Sequence, residues 1–142
     1  MSKENVELVR GLQPSPEVDL VQMFGNNGKE VLDALKPFFH DDVVIGGDVF
    51  GTTPEREGFE GLKEGWADWL EPWETYRAEI EDVIDAGEEV VVLTRDYGRR
   101  AGMSTEVSVM GASVWTVRDG KVARARFFAD REAGLRAAGL RD

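Results

Sequence analysis

YRAEIEDVIDAGEEVVVLTRDYGRRAGMSTEVSVMGASVWTVRDGKVARARFF, the stretch from Tyr76 to Phe128, decides the fold. Tyr76, Ala78 and Ile80 alternate with charged residues, the period-two pattern of a half-buried strand that runs to Ile84. Asp85-Ala86-Gly87-Glu88 reads as a turn, and Glu89 to Arg99 as a second strand. That strand opens with Val90-Val91-Val92-Leu93, apolar on both faces. Ala101-Gly102-Met103 ends the hairpin, and Thr105 to Val117 is a third strand. Arg118-Asp119-Gly120-Lys121 carries the Asp-Gly signal of a two-residue hairpin, which returns the chain as Val122 to Phe128. Beyond it, Asp130 is placed to cap a helix from Arg131 to Ala138, with Gly139 as its stop.

Upstream the period changes to that of helices. Val6, Val9 and Leu12 share one side of a predicted helix over Lys3 to Leu12, ended by Pro14 and Pro16. Val18 to Phe24 is a short apolar turn or helix. Lys29 to Phe39 places Val31, Leu32, Leu35, Phe38 and Phe39 on one stripe, with Pro37 tightening the last turn. Val43-Val44-Ile45 is a short strand, and Gly46 to Gly58 a loop. Phe59 to Glu71 is then a helix with Phe59, Leu62, Trp66, Trp69, Leu70 and Trp73 along one side and Pro72 at its exit. Helices first and a meander after them predict an α+β fold: a curved, mostly antiparallel sheet wrapped around N-terminal helices, with a pocket between the two. One domain spans residues 1–142, with its core over about 18–128 and a C-terminal helix at 131–138.

The 142 residues carry 17 basic and 28 acidic side chains, a formal charge of −11 concentrated in the first half. That sign repels phosphate backbones, so nucleic acid is not an expected partner. Without cysteine there is neither a disulfide nor thiolate chemistry. The N-terminus reads as that of a mature protein, and no apolar run suits a membrane span. A cytoplasmic location is the expectation. A strand apolar on both faces needs cover on both, and this predicts a homodimer packed through the sheet.

Three stretches carry a resemblance. They are Leu35-Lys36-Pro37-Phe38-Phe39-His40-Asp41-Asp42-Val43-Val44, Glu57-Gly58-Phe59-Glu60-Gly61-Leu62, and Val114 to Val122 across the last hairpin. With the order of elements, they make the chain resemble the SnoaL-like polyketide cyclases, within the wider superfamily of nuclear transport factor 2 and ketosteroid isomerase. The resemblance covers about Val18 to Phe128. It implies a cone-shaped, cystatin-like α+β architecture, often dimeric, with a pocket between helices and sheet. It also implies that any proton abstraction uses a carboxylate aimed into that pocket. The position after the short strand falls on or beside Asp48. The last-strand position of the cyclases reads Arg126-Phe127-Phe128, without an acid. The Arg and Asp of the epoxide hydrolases of this fold find only the adjacent Arg95-Asp96, which point to opposite faces. Each known catalytic set is incomplete.

The candidate residues each admit two readings. Trp66, Trp69 and Trp73 form either a pocket wall or plain core, and Trp115 and Phe128 share the ambiguity. Asp48 is either the base or a solvated turn residue. Tyr97 and Arg126 polarise a carbonyl if they face inward, and form a solvated surface if they face outward; strand parity decides. His40 is a pocket residue or a cation at the negative pole of a helix. With one histidine and no cysteine, no structural zinc site is expected; the 28 acids leave a magnesium site open but no spacing argues for one, and no cofactor is expected. The expected function is to bind a small apolar molecule, with isomerase, cyclase or dehydratase chemistry at Asp48, Tyr97 and Arg126 as the catalytic version. A non-catalytic binding module and a dimeric scaffold filled by its own side chains are the alternatives.

Overall fold

The computed structural model describes residues 2–26, 28–47 and 55–140. Three short helices come first: α1 (Ser2–Leu12), α2 (Leu20–Asn26) and α3 (Gly28–Leu35). A single 3-10 turn, Lys36–Phe38, leads into β1 (Phe39–Gly46). The two-residue strand β2 (Arg56–Glu57) precedes α4 (Phe59–Leu70). The meander follows as β3 (Trp73–Ala86), β4 (Glu89–Arg100), β5 (Glu106–Arg118) and β6 (Lys121–Phe128), and α5 (Arg131–Ala137) closes the described chain.

The strands form one curved, open, six-stranded sheet in the order β2-β1-β6-β5-β4-β3. The meander is antiparallel throughout, whereas β1 lies parallel to β6. At the last hairpin Asp119 and Gly120 have φ of 55° and 77°. Two consecutive positive φ values make a type I′ turn, whose twist matches that of the strands it joins. Bulges bend the sheet where the register shifts, in β3 between Ile80 and Asp82 and in the β5–β6 pair after Thr116. The result is the α+β cup expected from the sequence.

The element boundaries differ from the sequence reading at the two prolines. Pro37 has no N–H to continue a helix, so α3 stops at Leu35 and Phe39 becomes the first residue of β1. Likewise the chain leaves α4 before Pro72, and Trp73 opens β3 rather than extending the helical stripe. Helical spacing groups Trp73 with Trp66 and Trp69. The group survives in space through ring contact, with the Trp69 and Trp73 centroids 6.1 Å apart.

Two apolar layers fill the concave side. Val9 of α1, Val43 and Ile45 of β1, Val90 and Val92 of β4, and Trp115 of β5 make one continuous buried cluster. Leu20 of α2, Leu70 of α4, and Trp73 and Tyr76 of β3 make a second. The other sheet face carries a third cluster in which Leu135 of α5 packs on Val91 and Val114. Both valines are fully buried. α5 of the same chain thus covers Val91 and Val114 on this face. Asp130 caps α5 by accepting the Glu132 N–H through Oδ1 at 3.2 Å. Gly139, at φ 78°, ends it with a bond from the Leu140 N–H to the Leu135 carbonyl. Arg131 clamps the helix to the sheet, donating to Glu81 at 2.5 Å and to the Thr94 carbonyl at 2.8 Å. Leu135→Ala should cost about 2–3 kcal/mol in a urea titration, because it opens a cavity over Val91 and Val114. A loss below about 0.5 kcal/mol would mean that the helix does not dock in solution.

Candidate functional site

Strand parity decides the site. In β4, Val90 and Val92 belong to the concave cluster, and Thr94 and Asp96 follow them on the same face. Val91 belongs to the cluster under α5, and Arg95 and Tyr97 follow that side. On the concave side the helices and the sheet enclose a cavity of about 300 Å³, lined by Trp66 and Trp69 of α4, Trp115 of β5 and Phe127 of β6. Leu20, Met23 and Phe24 of α2 line it as well, with Leu12 to Pro14 from the end of α1. The rings meet at steep angles: Trp66 and Phe127 stand edge to face at 5.3 Å, as do Trp115 and Phe127 at 5.5 Å. Side chains therefore shape the walls without filling the space between them.

One ionisable pair breaks this apolar lining. The Tyr76 hydroxyl donates to Oδ2 of Asp96 at 2.5 Å, and both residues line the cavity. Tyr76 is itself held by its backbone, whose N–H donates to Oδ1 of Asp19 at 3.1 Å. The same carboxylate oxygen accepts the Val21 N–H in the first turn of α2, so Asp19 ties the helix at the cavity edge to the strand that carries Tyr76. Oδ1 of Asp96 is buried and finds no hydrogen bond among the described residues. Burial pushes the Asp96 carboxyl above its ordinary range, against the opposing hydrogen bonds of Tyr76 and Thr94. Burial first and the Asp96 charge second push the Tyr76 phenol up as well, so it remains a donor. No lysine, arginine or histidine lines the cavity among the described residues.

Because the folded chain holds the Asp96 proton to higher pH than the unfolded chain does, ionising it costs stability as pH rises past the unfolded value of about 3.9. Asp96→Asn stays neutral throughout. The stability of the wild type relative to Asp96→Asn should therefore fall as pH is raised from about 4, and level off once the folded carboxyl has ionised. Urea midpoints of both proteins across that range measure the difference, and the remaining acids cancel. A flat difference would remove the buried carboxyl.

The residues singled out from the sequence divide between places. Trp66, Trp69, Trp115 and Phe128 all line the cavity, Phe128 at the rim where β6 ends beside α5. Tyr97 does not face it: the ring lies on the opposite sheet face under the Arg77 guanidinium, 4.2 Å from its centroid. Arg126 is also on that face, its Nη2 2.5 Å from Oε2 of Glu89, which accepts the Thr116 hydroxyl too. His40 sits in β1, not at a helix end, and its Nε2 is 2.6 Å from the Arg118 carbonyl at the last hairpin. Asp48 and the neighbouring Phe50 lie outside the described residues. Among the described residues no group of three or more histidine, cysteine or acidic side chains is placed to hold a metal.

Asp96 and Tyr76 are what the sequence reading missed. The signal was present: Thr94 and Asp96 continue the inward parity of Val90 and Val92, and a lone acid on an inward register stands out. The Arg95-Asp96 neighbours do point to opposite faces, and it is the aspartate that enters the cup.

No curated protein matches the chain by sequence. Solved structures do match in fold. A SnoaL-like polyketide cyclase from Jannaschia sp. CCS1 aligns at TM-score 0.65 and 23% identity, covering 89% of this chain and 85% of that one. TerC, co-crystallised with polyporic acid, aligns at 0.66 and 19%, covering 96% and 98%. A protein with a ketosteroid isomerase-like fold from Catenulispora acidiphila DSM 44928, in complex with trimethylamine, aligns at 0.60 and 18%, covering 90% and 95%. At these identities the likeness is one of fold. The sequence itself goes further: residues 21–125 match the SnoaL-like domain, and the chain belongs to that family.

Proposed function

We propose that the chain binds a small, mostly apolar molecule in the cavity between α2, α4 and the sheet, and that the polar end of that molecule meets Asp96. The observation that carries this reading is a buried carboxyl, the one acid among the described lining residues, bonded to Tyr76 in a mostly apolar, aromatic-walled hollow. A hollow of about 300 Å³ is at the small end of ligand sites, and few convergent polar groups are their usual pattern. Two structural neighbours contain small molecules, polyporic acid and trimethylamine, which supports the class of ligand without naming it. Tryptophan fluorescence tests the reading, since Trp66, Trp69 and Trp115 line the hollow. Acetophenone and related apolar carbonyl compounds should change the emission saturably. Emission indifferent to the whole panel would end the proposal.

The raised Asp96 carboxyl favours a second reading, in which the bound molecule is also a substrate for isomerase, cyclase or dehydratase chemistry. A carboxylate there takes a proton from the carbon next to a carbonyl and returns it elsewhere on the same molecule. Deuterium exchange into a bound ketone, followed by NMR, should occur with the wild type and stop with Asp96→Asn. Asp48 remains a second candidate base, and Asp48→Asn in the same assay separates the two. Tyr97 and Arg126, facing away, support neither version.

The homodimer expected from the sequence stays part of this proposal on different ground. Met103, in the β4–β5 turn, and Met110, on β5, are 57% and 45% exposed and offer apolar surface to a second copy. A constant monomer mass in sedimentation down to nanomolar protein would remove it.

A further inference from the structure

Arg95, Arg126 and Arg131 lie on the side that α5 covers, paired with Glu81, Glu89 and Glu81 again. The cavity on the other side has Asp96 as its one carboxyl and no cationic residue among the described lining. The polar neighbours of that carboxyl act on it as donors: Tyr76 through its hydroxyl at 2.5 Å, and Thr94, which also favours the charged form. Around it stand ring systems, Trp66, Trp69, Trp115 and Phe127, set at steep angles so that faces and edges alternate about the space. Ring faces carry negative potential and attract cations. An anionic ligand would meet both the carboxylate and those faces with the wrong sign. A neutral ligand would meet a carboxyl that burial keeps protonated and gain a hydrogen bond there, whereas an ammonium nitrogen would form an ion pair with the carboxylate.

We propose that the occupant of the cavity is a small apolar amine in its ammonium form, with its nitrogen at Asp96 and its hydrocarbon part against the indole and phenyl walls. This rests on the cavity being a binding site and names the chemical class of its ligand. In such a complex Asp96 is held ionised as an anchor. The charge of −11 on the whole chain adds a long-range pull on a cation approaching the mouth.

Three probes of nearly equal size and different charge test it: benzylamine, benzyl alcohol and benzoate, titrated near neutral pH against tryptophan emission and by calorimetry. Benzylamine should bind at least about tenfold more tightly than benzyl alcohol, and benzoate should not bind. Asp96→Asn, checked for folding by circular dichroism, should lose the preference for the amine, so that benzylamine and benzyl alcohol bind within about threefold of each other. Asp96→Ser serves if the amide variant does not fold. Benzyl alcohol binding as tightly as benzylamine would overturn the ammonium assignment and leave the cavity as a site for neutral molecules. A preference for the amine that survives loss of the carboxyl would overturn Asp96 as anchor and assign the effect to surface charge. No binding by any of the three would overturn this proposal and the reading of the cavity as a binding site together.

Discussion

Gly47→Ala should destabilise the chain by at least about 3 kcal/mol, a large part of the whole stability of a domain this size. Gly47 leaves β1 at φ 103°, a conformation that L side chains rarely adopt. The greater part of the cost is steric. β1 runs parallel to β6 with Gly46 opposite Arg126, so Gly47 passes directly over Phe127. A Cβ there would overlap the backbone oxygen and nitrogen of Phe127 and stand 2.7 Å from its carbonyl carbon. A flexible side-chain tip could move aside, whereas a strand backbone inside a sheet cannot without breaking its ladder. Gly87 supplies the control: its φ is 84°, and a Cβ would meet nothing within 4 Å. Gly87→Ala should therefore cost only the conformational penalty, about 1–2 kcal/mol. Urea denaturation of both variants measures the difference. Equal losses would show that β1 and β6 do not approach as closely as described. Because Phe127 also forms a cavity wall, a folded Gly47→Ala protein should bind cavity ligands more weakly too.

Trp115→Ala and Trp66→Ala should separate core from wall. Trp115 is 5% exposed. Its indole N–H donates to the Ser113 hydroxyl at 2.8 Å, and its ring packs against Phe39 and Phe127. Removing it should cost about 3–5 kcal/mol, the usual range for a buried aromatic residue. Trp66 is only partly buried, stacked on Phe24 at 6.2 Å and edge-on to Phe127. Its removal should cost about 1–2 kcal/mol less than that of Trp115, with the loss appearing instead in ligand affinity. Denaturation midpoints and fluorescence titrations on the two variants decide the matter. Equal stability losses, with ligand binding untouched in Trp66→Ala, would make both residues core and leave the cavity without a wall.

The two sheet faces show how far an amino-acid pattern carries. Alternation sorts residues into two sets along each strand without saying which set turns inward. Tyr97 and Arg126 were therefore open from the pattern, and both proved to be on the face shared with α5, in contact with Arg77 and Glu89. Asp96 was decided by the same parity in the other direction. The double-sided run Val90 to Val92 correctly demanded two covers, but a short helix forty residues downstream supplied the second. Its amphipathic spacing was legible, and its docking partner was not.

By itself the sequence determined the extents of β4, β5 and β6, the Asp119-Gly120 hairpin, the α5 cap and stop, and the α+β class, because each follows from local sterics, hydrogen-bonding capacity and short-range periodicity. Tertiary structure alone decided that β1 runs parallel to β6, that Trp73 belongs to β3, and that Tyr76 meets Asp96 in an apolar hollow. Those outcomes depend on contacts between residues far apart in the chain, where burial and charge are properties of the assembled neighbourhood and of no single segment.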